Sequence, residues 1–153
     1  MRLCDLLSPE VVITDLASDT KEDVLREIVR KLHSAGKVPD VEKFVAILME
    51  RERLGSTGIG ENIAIPHAKS DDLDGMIAAF AISRKGIDFD SLDQKKVHYL
   101  FLLLAPSGEA GKHLKLLARI SRLTRIGGFC KSLLAIEMPE AILGAIEKAE
   151  QSL

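Results

Sequence analysis

The sequence predicts a single-domain α/β sandwich in which a small mixed β-sheet is flanked by helices. Segments with apolar residues at three- and four-residue spacing, typical of helices, alternate with short apolar runs that are typical of buried strands. The chain has 153 residues, of which 46% are hydrophobic, and this length suits one core that buries roughly two thirds of the unfolded surface. Because no internal repeat, low-complexity segment or linker is visible, residues 1–153 are predicted to form one domain.

One strand and two helices are predicted in the first third of the chain. Residues 11–13 form a candidate first strand. Residues 18–20 offer capping side chains for an amphipathic helix over about 21–34, because Ser, Thr and Asp accept hydrogen bonds from the free amides of a first turn. Asp40 caps a second predicted helix that runs to about Arg53.

Three strands and two helices are predicted in the rest of the chain. Residues 63–65 form a short buried strand, and residues 76–83 and 97–104 form two apolar strands at the centre of a sheet that is covered on at least one face. A long helix is predicted over about 109–125. A last helix, over about 139–149, begins with a proline, which is favoured in a first helical turn.

Composition argues against several classes of protein. The 21 Lys and Arg residues are spread among 23 Asp and Glu, so the chain lacks the basic surface of a nucleic-acid binder. Cys4 and Cys130 have no CxxC spacing, and residues 71–74 are acidic without regular ligand spacing, so we expect neither a disulfide nor a metal or other cofactor. The longest apolar run is too short to span a bilayer, and the N-terminus has no secretory signal. We therefore expect a soluble, cytoplasmic protein.

A glycine-punctuated loop is the most informative part of the sequence. Its residues are Gly55, Ser56, Thr57, Gly58, Ile59 and Gly60. The three glycines permit positive φ and close backbone approach, and the two hydroxyls with several free amides could surround an anion. The loop is neither a Walker A motif, since Gly-Lys-Ser/Thr is absent, nor a dinucleotide-binding fingerprint, so nucleotide binding is disfavoured.

One histidine follows this loop directly after a predicted strand. Pro66 lacks an amide donor, so we expect it to end regular pairing and to present His67 at the strand exit. A neutral imidazole is a good phosphoryl acceptor near pH 7, because one ring nitrogen keeps a free lone pair. By spacing alone, a histidine in this position is more often structural than functional.

Two further side chains are candidates for the same site. His113 falls in the first turn of the helix predicted from about residue 109, on its apolar face, where the helix dipole favours an anion and disfavours imidazolium. We expect a neutral His113 to donate one hydrogen bond to a phosphoryl oxygen while its other nitrogen is held elsewhere. Arg51 lies in the last turn of the second helix, from which it can reach the glycine loop.

Together these motifs resemble the phosphorylation site of the enzyme IIA domains of the bacterial phosphoenolpyruvate-dependent phosphotransferase system, in the branch with fructose, mannitol and nitrogen-related members. The resemblance covers nearly the whole chain. It rests on Arg-Glu before the loop, Ser-Thr-Gly-Ile-Gly within it, Ile-Pro-His after it, and His113 at the start of a late helix. It implies that His67 carries the phosphoryl group and that Arg51 and His113 assist.

The resemblance implies a phosphocarrier that is charged by phosphorylated HPr or its nitrogen-branch relative. With no attached enzyme IIB domain in the sequence, we expect a standalone regulatory protein of the nitrogen-related type. A sugar-specific enzyme IIA that passes phosphate to an enzyme IIB for fructose- or mannitol-type uptake is the alternative. A third hypothesis is a non-catalytic module that regulates a kinase or channel by contact. We expect an exposed apolar rim of Ile59, Ile63 and Leu73 to serve docking.

Three other side chains have ordinary explanations. His98 lies within an apolar strand and is expected to be a core or edge histidine. His33 lies near a helix C-terminus, where the dipole favours a cation. Lys69 either adds positive potential for an incoming phosphoprotein or is an exposed lysine, and the sequence favours neither.

Overall fold

A six-stranded mixed sheet with helices packed around it forms the framework of the protein. The computed structural model describes all residues, 1–153. Its strands are β1 (Val12–Ile13), β2 (Gly58–Gly60), β3 (Ile63–Ala64), β4 (His67–Lys69), β5 (Ile77–Ile87) and β6 (Val97–Ala105). Its helices are α1 (Lys21–Ser34), α2 (Val41–Arg53), α3 (Ala110–Thr124), α4 (Phe129–Ser132) and α5 (Pro139–Glu150), with four short 3-10 segments between them.

The two long strands form the centre of the sheet. β5 and β6 are antiparallel, and β1 pairs in parallel with the outer edge of β5. The other edge of β6 pairs in parallel first with β3 and then with β4, so that His67 lies opposite Leu103. β2 closes this side by antiparallel pairing with β3. The predicted α/β sandwich with a small mixed sheet is confirmed.

The core lies on both faces of the central strands. β6 is buried along almost its whole length, which agrees with its nearly continuous apolar sequence. The apolar stripe of α1 is buried, and α3 and α5 each bury one face, marked by Ile120 and Ile146. None of the helices combines the length and the apolar character that a membrane span requires.

Most predicted elements are found with nearly the predicted bounds. Thr20 caps α1 by accepting a hydrogen bond from the Asp23 amide, and Asp40 caps α2 by accepting one from the Lys43 amide. Pro139 is the first residue of α5, as its missing amide hydrogen predicts.

Three elements were not predicted, and one strand is longer than predicted. β2 and β4 have three residues each and α4 has four, so none of them is long enough to show a periodic pattern. β5 continues past Ser83 to Ile87 through a polar, exposed stretch where its register with β6 shifts. His67 follows β3, as predicted, but it also opens β4, so that pairing resumes after Pro66 and does not end there.

Candidate functional site

The candidate site forms where the edge of the sheet meets the first turn of α3. Pairing of β4 with β6 fixes the backbone of His67, and the carbonyl oxygen of Pro66 accepts a hydrogen bond from the Leu103 amide at 2.9 Å. His113, in α3, faces it from the helix layer. The two imidazole rings lie 5.4 Å apart between centroids and meet edge to face at 87°. The structure thus brings together two histidines that are 46 residues apart in the sequence.

The hydrogen bond of the His67 ring determines which of its nitrogens is free. Nδ1 lies 2.7 Å from the carbonyl oxygen of Ile65. Because a carbonyl oxygen only accepts, Nδ1 carries the hydrogen in the neutral ring and Nε2 keeps the free lone pair. Burial lowers the pKa of His67 below its ordinary value of 6.5, and the positive charge of Arg51 acts in the same direction, although the hydrogen bond to Ile65 opposes both. The ring is therefore mainly neutral at pH 7, with the lone pair of Nε2 free.

His113 is buried without any hydrogen-bond partner. Its side chain is almost fully enclosed, and neither Nδ1 nor Nε2 has a partner within the protein. Burial, followed by the influence of His67, lowers the pKa of His113 to about 4. The expectation that one nitrogen is held elsewhere is wrong, because no acceptor or donor of the surrounding protein reaches the ring. Leaving a buried polar group unpaired costs free energy, so the burial of this ring beside His67 is unfavourable for folding.

Arg51 reaches the glycine loop from the end of α2. Its Nη1 donates a hydrogen bond to the carbonyl oxygen of Gly55 at 2.9 Å, and its half-buried side chain lines the same cleft as His67. The guanidinium therefore has a fixed place near the imidazole while part of its donor fork remains free. A guanidinium in that position adds positive charge and free N–H donors to the cleft.

The glycines of the loop have different roles from one another. Gly60 has φ of +92°, a conformation that L side chains rarely adopt. Gly58 has no positive φ, but a Cβ placed on it would collide with Oγ of Ser91. Of the two reasons that the sequence offered for these glycines, positive φ thus applies to Gly60 and to Gly55, whose φ is +155°, and close approach applies to Gly58.

Both hydroxyls of the loop are already used inside the protein. Ser56 Oγ donates to the carbonyl oxygen of Phe89 and accepts from the Gly58 amide at 3.0 Å. Thr57 Oγ1 and the Thr57 amide both donate to the carboxylate of Glu52. These groups hold the loop in place, so the ring of anion donors predicted from residues 55–60 is not formed by its hydroxyls.

Glu52 belongs to the Arg-Glu pair before the loop, but its role in this network was not predicted from the sequence. It is buried although it is charged, and it lies at four-residue spacing from Phe44 and Leu48 on the inward face of α2. A carboxylate on the apolar face of an amphipathic helix is itself a signal, because such a group is retained only where it has partners.

An open cleft of about 1070 Å³ extends from His67 between the β2–β3 hairpin and the end of α3. Arg51, Ile59, Tyr99, Leu117 and Arg125 are among its lining residues. Three cationic side chains, counting Lys131, one acidic side chain, Glu61, and several apolar side chains thus share one surface, whose charge is positive on balance. Such a surface suits a protein partner that carries an anionic group.

The predicted docking rim is correct for only one of its three residues. Ile59 is 47% exposed, but Ile63 and Leu73 are buried, at 4% and 6%. Ile63 lies in β3, where it pairs with Tyr99 of β6, and both residues are buried. The exposed apolar side chains next in sequence to the site are Leu54, at the end of α2, and Leu114, beside His113.

The remaining candidates lie outside the site or at its margin. His98 binds the carbonyl oxygen of Ser83 through Nδ1 at 2.7 Å, and His33 binds that of Val38 at 3.0 Å. Asp72, in the acidic loop, pairs with Lys43. No group of three or more His, Cys, Asp or Glu side chains is arranged to hold a metal ion.

Comparisons with known proteins converge on one family. The family model described as "Phosphoenolpyruvate-dependent sugar phosphotransferase system, EIIA 2" matches residues 5–149. The chain is 38% identical over 147 residues to a nitrogen regulatory protein of Bradyrhizobium diazoefficiens. This alignment covers 95% of each of the two chains. It is 36% identical over 151 residues to the fructose-specific EIIABC component of Bacillus subtilis, covering 99% of this chain but 24% of that protein.

A solved structure supports the same relationship. The nitrogen regulatory protein IIA-Ntr from Neisseria meningitidis superimposes with a TM-score of 0.88 and 26% sequence identity. The superposition covers 94% of this chain and 98% of that one.

Proposed function

The chain belongs to the enzyme IIA type 2 family of the phosphoenolpyruvate-dependent sugar phosphotransferase system, and on that premise we propose that it is a phosphocarrier that accepts a phosphoryl group on Nε2 of His67. The observation that carries the proposal is the hydrogen bond between Nδ1 of His67 and the carbonyl oxygen of Ile65, which leaves Nε2 as the free nucleophile. In this proposal His113 and Arg51 assist the transfer.

The transfer step uses only groups of the two proteins. The lone pair of Nε2 forms a new P–N bond while the P–N bond of the donor phosphohistidine breaks, and that electron pair stays on the donor nitrogen. The His67 ring gains positive charge, which the carbonyl oxygen of Ile65 stabilises through the Nδ1 hydrogen. No proton has to leave the ring during the transfer.

Arg51 and His113 stabilise the phosphoryl group during its transfer. The transition state of phosphoryl transfer is loose, with charge on three equatorial oxygens, so fixed donors around those oxygens lower the barrier. Arg51 supplies a permanent charge, and the neutral His113 supplies one N–H from a ring that has no competing partner. The edge-to-face arrangement of the two rings brings that donor next to the acceptor.

A regulatory, nitrogen-branch role is the form of this function that we favour. The nitrogen regulatory relative matches this chain along nearly the full length of both proteins. The fructose-specific relative is over four times as long as the segment that it shares, and this chain spans about a quarter of it. The donor is then HPr or its nitrogen-branch relative, the targets are regulated proteins such as a kinase or a channel, and the location is the cytoplasm.

The sugar-specific alternative has its own support. The fructose-specific component of Bacillus subtilis is 36% identical to this chain. In that role the phosphoryl group of His67 passes to a cysteine of an enzyme IIB domain. A non-catalytic regulatory module is the third candidate, and it requires no phosphoryl transfer.

Intact-mass measurement separates these functions. The purified protein is incubated with phosphoenolpyruvate and either enzyme I with HPr or the nitrogen-branch pair. We expect an acid-labile gain of one phosphoryl group, faster with the nitrogen-branch donor. His67→Ala should abolish the gain. His98→Ala is the matched control, because His98 has the same kind of Nδ1 bond to a carbonyl oxygen and should leave the gain intact. No gain from either donor set would favour the non-catalytic module.

A further inference from the structure

The carboxylate of Glu52 is buried beneath the glycine loop and is fully engaged. It accepts hydrogen bonds from the amide and the hydroxyl of Thr57, the amide at 3.0 Å. It also pairs with the ammonium group of Lys21, in α1, at 3.1 Å. Three donors around one buried carboxylate make a rigid junction, because each alternative arrangement would leave a charge without a partner.

A continuous path of hydrogen bonds joins this junction to the His67 ring. The carbonyl oxygen of Thr57 accepts from the Ile65 amide at 3.0 Å. The carbonyl oxygen of the same Ile65 then accepts from Nδ1 of His67 at 2.7 Å. The acceptor that selects the ring tautomer is thus on a residue whose backbone is tied, through Thr57, to the buried carboxylate.

We propose that Glu52 is a positioning residue that acts through Thr57 and Ile65 to hold His67 with Nδ1 protonated and Nε2 free. The carboxylate does not touch the reacting atoms. Its effect is to keep the Ile65 carbonyl in line with Nδ1, since β3 ends at Ala64 and Pro66 donates no hydrogen bond of its own. The catalytic consequence rests on the proposed function, whereas the control of the tautomer does not.

Two other carboxylates of the chain provide matched controls. Glu150 is also buried. It accepts hydrogen bonds from the amides of Leu3 and Cys4, at the other end of the chain, and from the side chain of Arg119 in α3. Its path does not reach His67. Glu50 lies on the same helix as Glu52 but is exposed and pairs only with Arg53. Glu150→Gln is therefore the control for losing a buried carboxylate charge. Glu50→Gln is the control for removing one negative charge from α2.

The test combines the tautomer of His67 with the rate of phosphoryl transfer. Nitrogen chemical shifts of the imidazole are recorded by long-range proton–nitrogen correlation at pH 8. In Glu52→Gln we expect the His67 shifts to move toward the average of the two tautomers and the transfer rate constant to fall by about tenfold, the effect of a misaligned acceptor. Glu50→Gln and Glu150→Gln should keep the wild-type ring shifts, even though Glu150→Gln lowers Tm.

Substitutions at Thr57 keep the proposal testable if Glu52→Gln does not fold. Thr57→Val removes one donor to the carboxylate and keeps the charge, and it should shift the His67 ring in the same direction. Thr57→Ser keeps both donors and should restore the wild-type tautomer.

One pattern of results would overturn the proposal. If Glu52→Gln loses Tm as Glu150→Gln does, but keeps the wild-type ring shifts and a transfer rate within about twofold, Glu52 only stabilises the fold. If the wild-type protein accepts no phosphoryl group, the proposed function fails, and the ring shifts still decide whether Glu52 controls the tautomer.

Discussion

At the scale of single residues, His113 shows a conflict between stability and function. Its ring is buried with two unpaired nitrogens, which destabilises the folded protein. We predict that His113→Leu raises the free energy of unfolding at pH 7 by about 1 kcal/mol, because an apolar side chain of similar volume removes the unpaired groups. Urea titration measures this change. A clear loss of stability would show that His113 has partners in solution that the structure does not record.

The same substitution should slow phosphoryl transfer. Loss of one fixed donor to the phosphoryl oxygens is expected to lower the rate constant by about 10²-fold. Single-turnover transfer from the phosphorylated carrier measures it. Leu114→Ala, at the exposed neighbouring position, is a control for folding of the helix. Transfer at the wild-type rate in His113→Leu would remove His113 from the site.

The pH dependence of transfer follows from the lowered pKa of His67. Its lone pair is lost only on protonation, and burial keeps that pKa below 6.5. The intrinsic rate constant should therefore fall as the pH falls, with a midpoint below pH 6.5. Single-turnover experiments with excess phosphorylated donor on both sides of that pH test the expectation. A midpoint above 6.5 would contradict the burial of His67.

At the scale of elements, close packing between β2 and the loop before β6 explains Gly58. A Cβ at Gly58 would collide with Ser91 Oγ. We predict that Gly58→Ala costs about 1–3 kcal/mol of stability and that adding Ser91→Ala recovers part of it. Gly144→Ala, in an exposed part of α5 with open space around it, is the control and should stabilise by about 0.5–1 kcal/mol. Equal effects at both positions would show that the loop adapts.

The elements also show what the sequence can reveal and what it cannot. α1, α2 and α5 were predictable because their caps and apolar stripes are local signals. β2 and β4 were not, because three residues carry no period. β2 becomes a strand only by pairing with the two-residue β3 next to it, and β4 only by pairing with β6, far along the chain. The motif order identified Arg51, His67 and His113 as candidates, but the unpaired nitrogens of His113 depend on packing across the α3–sheet interface.

At the scale of the whole molecule, two buried neutral histidines couple folding to pH. In the unfolded chain both have a pKa near 6.5, whereas in the folded protein that of His113 is about 4 and that of His67 is lowered. Between pH 6.5 and 4 the unfolded state therefore binds more protons, and stability falls as the pH falls. Well above this window both groups are neutral in the folded and unfolded states, so they no longer make stability depend on pH.

This coupling can be measured by comparing variants across the same window. The free energy of unfolding of the wild-type protein should decrease from pH 6.5 to 4 more steeply than that of His113→Leu, because the variant lacks one of the two linked groups. Parallel curves would show that His113 is not buried neutral in solution.

The central claim is that the phosphoryl group resides on Nε2 of His67, and phosphorus–nitrogen coupling tests it most directly. Protein labelled with ¹⁵N in its histidines is phosphorylated by the phosphoenolpyruvate-driven carrier chain and examined by NMR. The structure predicts coupling of the phosphorus to Nε2 of His67, with Nδ1 still bonded to the hydrogen that the Ile65 carbonyl accepts. Coupling to Nδ1, or to either nitrogen of His113, would contradict the account.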